Sequence, residues 1–287
     1  MMRARGVMSW LLIALLSLQT ACGGLLVVEG LDGRGVQGPP RFNTGFNLFS
    51  PEQDIELGRL SAEEVTQQLP LLRDEHTARY VQRLGERLAA KAPGYHFTYR
   101  FFVVASPEVN AFALPGGYVF VNAGAIEAAR DEGELAGVLA HEIAHVALRH
   151  GTNQASKAYV ARTGLSVLDA LTGGRRSGVG TVADAIAGDC ANTIFMKFNR
   201  AAEAQADAEG ARMMAAAGYD PRDMANFFER LGEQSGERTT ETPSDHPDPA
   251  SRVAALDEII STLRLAPSPA RDTEEFRRIR SRLAGTR

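Results

Sequence analysis

Cysteine is nearly absent: two occur in 287 residues, Cys22 and Cys190. That excludes a disulfide framework and any zinc site built on thiolates, so a metal would have to be held by histidine and carboxylate. Basic runs are missing too. The net charge is −4 and no lysine–arginine block follows the leader, which leaves nucleic acid no footing. Beyond residue 22 no stretch of 18 or more apolar residues occurs, so no membrane span is expected in the mature protein. The Gly-x-Ser-x-Gly elbow of serine esterases and lipases is absent as well. What remains is a chain with 44% hydrophobic residues, enough to bury a full core: one catalytic domain with a leader and a linker.

The leader is residues 1–22. Arg3 and Arg5 charge its start, and Val7 to Leu18 is an apolar run too short to span a bilayer comfortably. It ends Leu18-Gln-Thr-Ala-Cys22, which resembles a bacterial lipobox, with Gln19 standing where leucine is usual. Cys22 is therefore expected to carry a lipid and to anchor the protein; an ordinary signal peptide cut near Ala21 is the simpler alternative. Gly23, rather than aspartate, favours the outer membrane facing the periplasm. Residues 23–49 are glycine-rich and read as a tether in which Phe42, Phe46 and Phe49 can dock onto the domain. The domain proper is expected at 50–287.

Helices are predicted from the capping signal Ser50-Pro51-Glu52-Gln53 to Leu69 and from Asp74 to before Pro93. His96 to Val104 reads as a strand. Asn110-Ala111-Phe112-Ala113-Leu114-Pro115-Gly116-Gly117 follows, then a second strand run, Tyr118 to Val121. Pro115-Gly116-Gly117 alone signals a hairpin turn. The same segment, read as an edge strand from Asn110 to Gly117, can also pair with an extended substrate backbone. Residues 155–198 are loosely helical, broken by a glycine–arginine loop at 172–180, and Cys190 reads as a small buried residue. Later helices are expected near 220–232, 251–265 and 273–283, with a polar loop at 233–250.

The stretch Asp131 to His150 holds His141-Glu142-Ile143-Ala144-His145. Acids at its start and Arg149 with His150 at its end suit a helix, and Gly151 is the expected stop. Residues four apart lie one above the other, so His141 and His145 point at one place with Glu142 on the adjoining flank. That is the geometry of a zinc hydrolase, with Glu142 as general base. A buried helix with two incidental histidines is the bland alternative. It has to accept two imidazoles and a carboxylate on an apolar face, at a cost of several kcal/mol.

His150 lies five residues past His145, about 140° round a continuous helix, and should miss the metal. A carboxylate is the natural third ligand. Asn199 caps a further helix that Gly218 stops, and in it Glu203 and Asp207 share a face. Glu203 can ligate zinc while Asp207 holds the far nitrogen of a ligating histidine; taken alone, the pair would read as a solvated acidic face.

Asn110 to Gly117, His141-Glu142-x-x-His145, Glu203-x-x-Ala-Asp207 and His246-Pro247 occur in the order of metallopeptidase family forty-eight, the gluzincin group of HtpX, the CAAX prenyl proteases and the Oma-type proteases. The chain resembles that family over about residues 45–285, without the tetratricopeptide tail some relatives carry. The resemblance implies an α+β fold: a mostly α-helical zincin (gluzincin) domain with a small β-sheet whose edge strand borders the active site. It implies Zn²⁺ on His141, His145 and Glu203, Glu142 as base, and His246 close to the metal, as a fourth ligand holding the enzyme latent or as an oxyanion donor alongside Arg252. The expected function is an envelope metalloendopeptidase that cleaves misfolded or mis-assembled envelope proteins beside the assembly machinery. A lipoprotein chaperone or assembly factor with a latent or structural zinc is the alternative.

Overall fold

Ser50 opens the first helix in the computed structural model, which describes residues 45–163, 198–236 and 249–285. Its hydroxyl accepts from the Gln53 amide and the Gln53 side chain accepts from the Ser50 amide, the reciprocal cap that the sequence predicts. Helix α1 spans Pro51–Gln68. Asp74 caps α2, Glu75–Ala89, which buries Tyr80, Val81, Leu84 and Leu88 along one stripe. The chain separates into Met1–Arg41 and Phe42–Arg287, and every described residue belongs to the second unit. Cys22, the leader, the 172–180 loop, Cys190 and His246 lie outside the described residues.

Three strands form one sheet in the order β1-β3-β2: β1 Arg100–Val104, β2 Ala111–Leu114 and β3 Tyr118–Asn122. β1 runs parallel to β3 with Arg100 opposite Tyr118, and β2 runs antiparallel to β3 with Ala111 opposite Val121. β1 is shorter than the predicted 96–104. Its partner β3 begins only at Tyr118, and the Gln82 side chain ties the entry by donating to the Tyr99 carbonyl and accepting from the Phe101 amide. The segment 110–117 also divides. Pro115–Gly117 is a 3-10 turn rather than strand, with Gly116 and Gly117 at φ 74° and 110°. A Cβ on Gly116 would come within 2.5 Å of the Ile55 backbone, so this turn needs glycine both for its φ and for the approach of α1.

Both sheet faces are covered, which is why these strands carry apolar residues without polar alternation. Phe101, Val103, Ala111, Ala113, Val119 and Val121 join the main core with α2 and the central helix. Phe112, Leu114, Tyr118 and Phe120 pack with Phe49, Ala62 and Val65 on the other side. Phe102, Phe120 and Phe112 stack across the three strands at 4.9 Å spacings.

After α3 (Ala123–Ala128) comes α4, Glu132–Ala147, buried along its whole length. Asp131 caps it by accepting from the Glu134 amide. Helices α6 (Arg200–Ala217) and α7 (Arg222–Gly236) flank it, and glycines permit the approach. Gly137 lies against Met224 of α7, and Gly210 of α6 lies against Ala140 and His141. Asn199 caps α6 and Gly218 ends it at φ 89°, as the sequence predicts. α8 (Pro249–Ser261) and α9 (Glu274–Ala284) complete the described elements. Among the described residues no helix is long and apolar enough to cross a membrane.

Gly151 is not the stop of α4. The helix ends at Ala147 with Leu148 as its cap, Arg149 turns the backbone at φ 57°, and α5 (His150–Thr163) restarts with Gly151 inside it. A left-handed arginine costs about 1–2 kcal/mol. Its side chain holds it there: Nε donates to Asp54 Oδ2 at 2.6 Å, and one terminal nitrogen donates to Asp54 Oδ1 at 3.0 Å and to the Phe49 carbonyl at 2.5 Å. The stretch from Gly45 to Phe49, which the sequence reads as the end of a tether, lies on α5 through bonds to Thr152, Asn153 and Ser156.

Candidate metal centre

His141 and His145 leave α4 one turn apart, and Glu203 reaches them from the first turn of α6. All three are buried, and one ligand atom from each lies within 4.8 Å of the other two. The separations are 3.0 Å between the two Nε2 atoms, 3.4 Å from His141 Nε2 to Glu203 Oε2 and 3.5 Å from His145 Nε2 to Glu203 Oε1. A tetrahedral ion with bonds of about 2.0–2.1 Å needs donor atoms about 3.3–3.4 Å apart. The triangle therefore fits a divalent ion of zinc's size, and no other described cluster of histidine, cysteine and carboxylate does so.

Asp207 stands one helical turn beyond Glu203 and places Oδ1 2.9 Å from His141 Nδ1. With Nε2 turned to the triangle, His141 donates from Nδ1, the outer partner that ligating imidazoles use. Arg252 of α8 clamps Asp207 with two bonds of 2.8 and 2.6 Å, lies 3.4 Å from Glu203 and covers the Phe228 ring at 4.1 Å. The guanidinium is thus spent on the carboxylates that hold the histidines. Glu142 is buried on α4 beside His141.

Charge favours a cation here. Glu142, Glu203 and Asp207 are buried carboxylates and Arg252 is the buried base among them, leaving two negative charges for a divalent ion to balance. The same excess acts on His141. Burial and the Arg252 charge lower its pKa, but the bonds to Asp207 and Glu203 outweigh them and push it up to about 9. Asp207 moves the other way: burial raises it, and the Arg252 and His141 bonds bring it below the usual carboxylate range.

His150 is a residue the sequence reading set aside. It does miss the ligand triangle, yet the turn at Arg149 carries it back until its Nδ1 lies 3.0 Å from His145 Nδ1. Burial, ahead of any charge, lowers its pKa to about 4. Phe198 also escaped notice, and its ring stacks on His145 with centroids 4.0 Å apart. It precedes the Asn199 cap, and no spacing pattern in the sequence ties it to His145.

β2 has one strand neighbour among the described residues, β3, so it is an edge of the sheet. Ala111, Phe112, Ala113 and Leu114 are buried, and Asn110 is half-buried with its carbonyl accepting from Asn122. A small cavity lined by Ala113, Leu114, His145, Val146, Arg149 and Phe198 joins the end of β2 to the second histidine. Gly116 and Gly117 face α1 and Thr98.

A mostly helical domain with a small mixed sheet, holding His-Glu-x-x-His on one helix and a glutamate on a later one, is the architecture of a metallopeptidase. Residues 75–260 match Peptidase family M48, and the chain belongs to that family. It is 28% identical over 246 residues to the beta-barrel assembly-enhancing protease of Yersinia pestis, covering 83% of this chain and 49% of that protein. It is 29% identical over 248 residues to the protein of that name from Escherichia coli K12, covering 83% and 50%. To the mitochondrial metalloendopeptidase OMA1 of Schizosaccharomyces pombe it is 30% identical over 184 residues, covering 63% and 52%. The chain thus spans about half the length of these curated relatives.

Proposed function

We propose that this chain is a zinc-dependent endopeptidase of the bacterial envelope. One observation carries the reading: His141 Nε2, His145 Nε2 and the Glu203 carboxylate converge at the spacing of a tetrahedral ion, with Glu142 next to the first of them. Two imidazoles and a carboxylate suit zinc better than magnesium or calcium, which take oxygen ligands. Held by these three residues, a zinc ion would supply Lewis acidity to the peptide carbonyl and to the attacking water. Glu142 then accepts the proton of that water on its carboxylate and delivers it to the departing amine nitrogen. Asp207 and Arg252 keep the ligands oriented and the charge balanced, and the apolar walls Phe198 and Phe228 limit water. The edge strand β2 supplies backbone groups on which an extended substrate can add as a further strand.

The relatives' name, beta-barrel assembly-enhancing protease, supports an envelope location, and the proposed substrates are misfolded or mis-assembled envelope proteins. Cys22 is the proposed lipid anchor, and Gly23 in place of aspartate after it favours the outer membrane. Membrane fractionation and the mature mass of Cys22→Ala test it, and an unchanged mass with unchanged fractionation would refute it.

The activity is tested with the full chain on an unfolded casein. Cleavage should stop with a zinc chelator, return with added zinc and be lost in Glu142→Gln at full zinc loading. Cleavage that ignores both chelator and Glu142→Gln would refute the proposal, and a zinc-binding but inert wild type would point to a chaperone or assembly module.

A further inference from the structure

The two histidines of the triangle are held from behind by different chemistry. His141 donates from Nδ1 to the Asp207 carboxylate. His145 turns its Nδ1 to another imidazole, His150 Nδ1 at 3.0 Å, and His150 Nε2 lies 3.0 Å from Gln205 Oε1. A hydrogen bond between two Nδ1 atoms needs one to carry hydrogen and the other a lone pair. His145 faces the triangle with Nε2, so its lone pair belongs there and its hydrogen sits on Nδ1. His150 must then accept at Nδ1 and carry its own hydrogen on Nε2, which donates to the Gln205 amide oxygen. Each of the four nitrogens has one consistent role, and the series ends on a carbonyl that can only accept.

We infer that His150 is the positioning residue for the His145 metal ligand, its tautomer set by Gln205. The inference rests on the metal reading of the preceding section. Three elements meet to build it. His145 belongs to α4, His150 opens α5, and Gln205 lies on α6 between Glu203 and Asp207. The left-handed turn at Arg149 brings His150 into place, since on an unbroken helix it would face away. The two rings meet edge to face with centroids 5.0 Å apart, and His150 is 7% exposed, so its orientation is constrained by packing as well. A neutral acceptor orients His145 without adding charge to a site that already holds three carboxylates.

The test separates hydrogen bonding from packing. In the full chain, His150→Phe keeps the ring and loses the acceptor. His150→Asn loses the ring but can place its amide oxygen near the position of Nδ1. Zinc dissociation constants are measured by competition with a chromophoric chelator, alongside the melting temperature of the zinc-free protein. His150→Phe should weaken zinc about 10–100-fold, the usual cost of losing such an outer partner, and His150→Asn should recover most of that loss. Gln205→Leu should weaken zinc less than His150→Phe. A packing role predicts the reverse order, with phenylalanine tolerated and asparagine not. Wild-type affinity in His150→Phe, or equal losses in both His150 variants, would overturn the inference. Should His150→Phe fail to fold, Gln205→Leu reads the same series from its exposed end, and unchanged zinc affinity there would overturn it. A wild-type chain that takes up no zinc is a different result: it defeats the metal reading and this inference together.

Discussion

Both ends of α4 bury charge, and they do so with opposite chemistry. At the N-terminal end the Glu132 carboxylate accepts from the hydroxyls of Tyr80, Tyr219 and Thr273, at 2.9, 2.6 and 2.5 Å. Burial and the Glu132 charge hold the Tyr80 phenol above its usual range, so it stays a donor. Glu134 accepts from the Arg130 amide and from the Arg230 guanidinium. Donors from α2, α7, the cap of α9, the segment after α6 and the bend before α4 thus converge on carboxylates, and their capacity is used within the chain. At the C-terminal end groups that can bind a metal converge: two imidazole Nε2 atoms and a carboxylate face one another across 3.0–3.5 Å. Such an arrangement is stable when a cation sits among them. Buried charge marks both places; convergence of two imidazoles with a carboxylate at metal-ligand spacing singles out the one that takes a ligand.

The contrast can be broken from either end. The largest effect belongs to the ligand end, where Glu142→Gln should lower cleavage about 10²–10⁴-fold while zinc stoichiometry stays at the wild-type value. A variant that still cleaves while loaded with zinc would remove Glu142 from the mechanism. Glu203→Ala should weaken zinc by more than the roughly 10–100-fold of an outer partner, measured by the same chelator competition. Unchanged affinity there would mean that the third ligand lies elsewhere.

At the anchoring end the expectation reverses. Glu132→Ala leaves three hydroxyls, those of buried Tyr80 and Tyr219 and of half-buried Thr273, without their acceptor and should cost on the order of 3 kcal/mol in denaturant unfolding, with zinc stoichiometry unchanged. Loss of zinc without loss of stability would erase the distinction between the ends. The same end also carries a pH dependence. Asp223 of α7 is buried beside Gly133 and lies 3.3 Å from Arg271, and burial, reinforced by the Asp131 charge, pushes its pKa up to about 7. Its carboxyl binds a proton more tightly folded than unfolded, where its pKa is about 3.9. Stability is therefore not penalised below about pH 4 and is lost progressively as the pH rises to about 7. Asp223→Asn should flatten that stretch of the melting-temperature profile, and an unaltered profile would refute the assignment.

The ligand end was legible in the sequence because its signals are local. His-Glu-x-x-His declares itself by spacing, and the α6 glutamate followed from the Asn199 cap and Gly218 stop, which define one helix and so one face for Glu203 and Asp207. Sheet order and strand limits were less legible, since β1 begins only where β3 offers a partner. The role of His150 was hidden for a physical reason. Spacing arguments assume an unbroken helix, and the break at Arg149 is held by Asp54 and Phe49, about a hundred residues earlier in the chain. A residue whose conformation depends on so distant a partner carries no local signature. The hydroxyl cage around Glu132 was invisible for the same reason, because its donors come from three separate parts of the chain.

The central claim is that two imidazoles and one carboxylate bind a single zinc ion, and zinc X-ray absorption on the purified full chain reads those ligands directly. The account predicts a first shell of nitrogen and oxygen at about 2.0–2.1 Å with the outer scattering of two imidazoles, reduced to one in His145→Ala. A sulfur shell near about 2.3 Å, or imidazole scattering unchanged in His145→Ala, would contradict it.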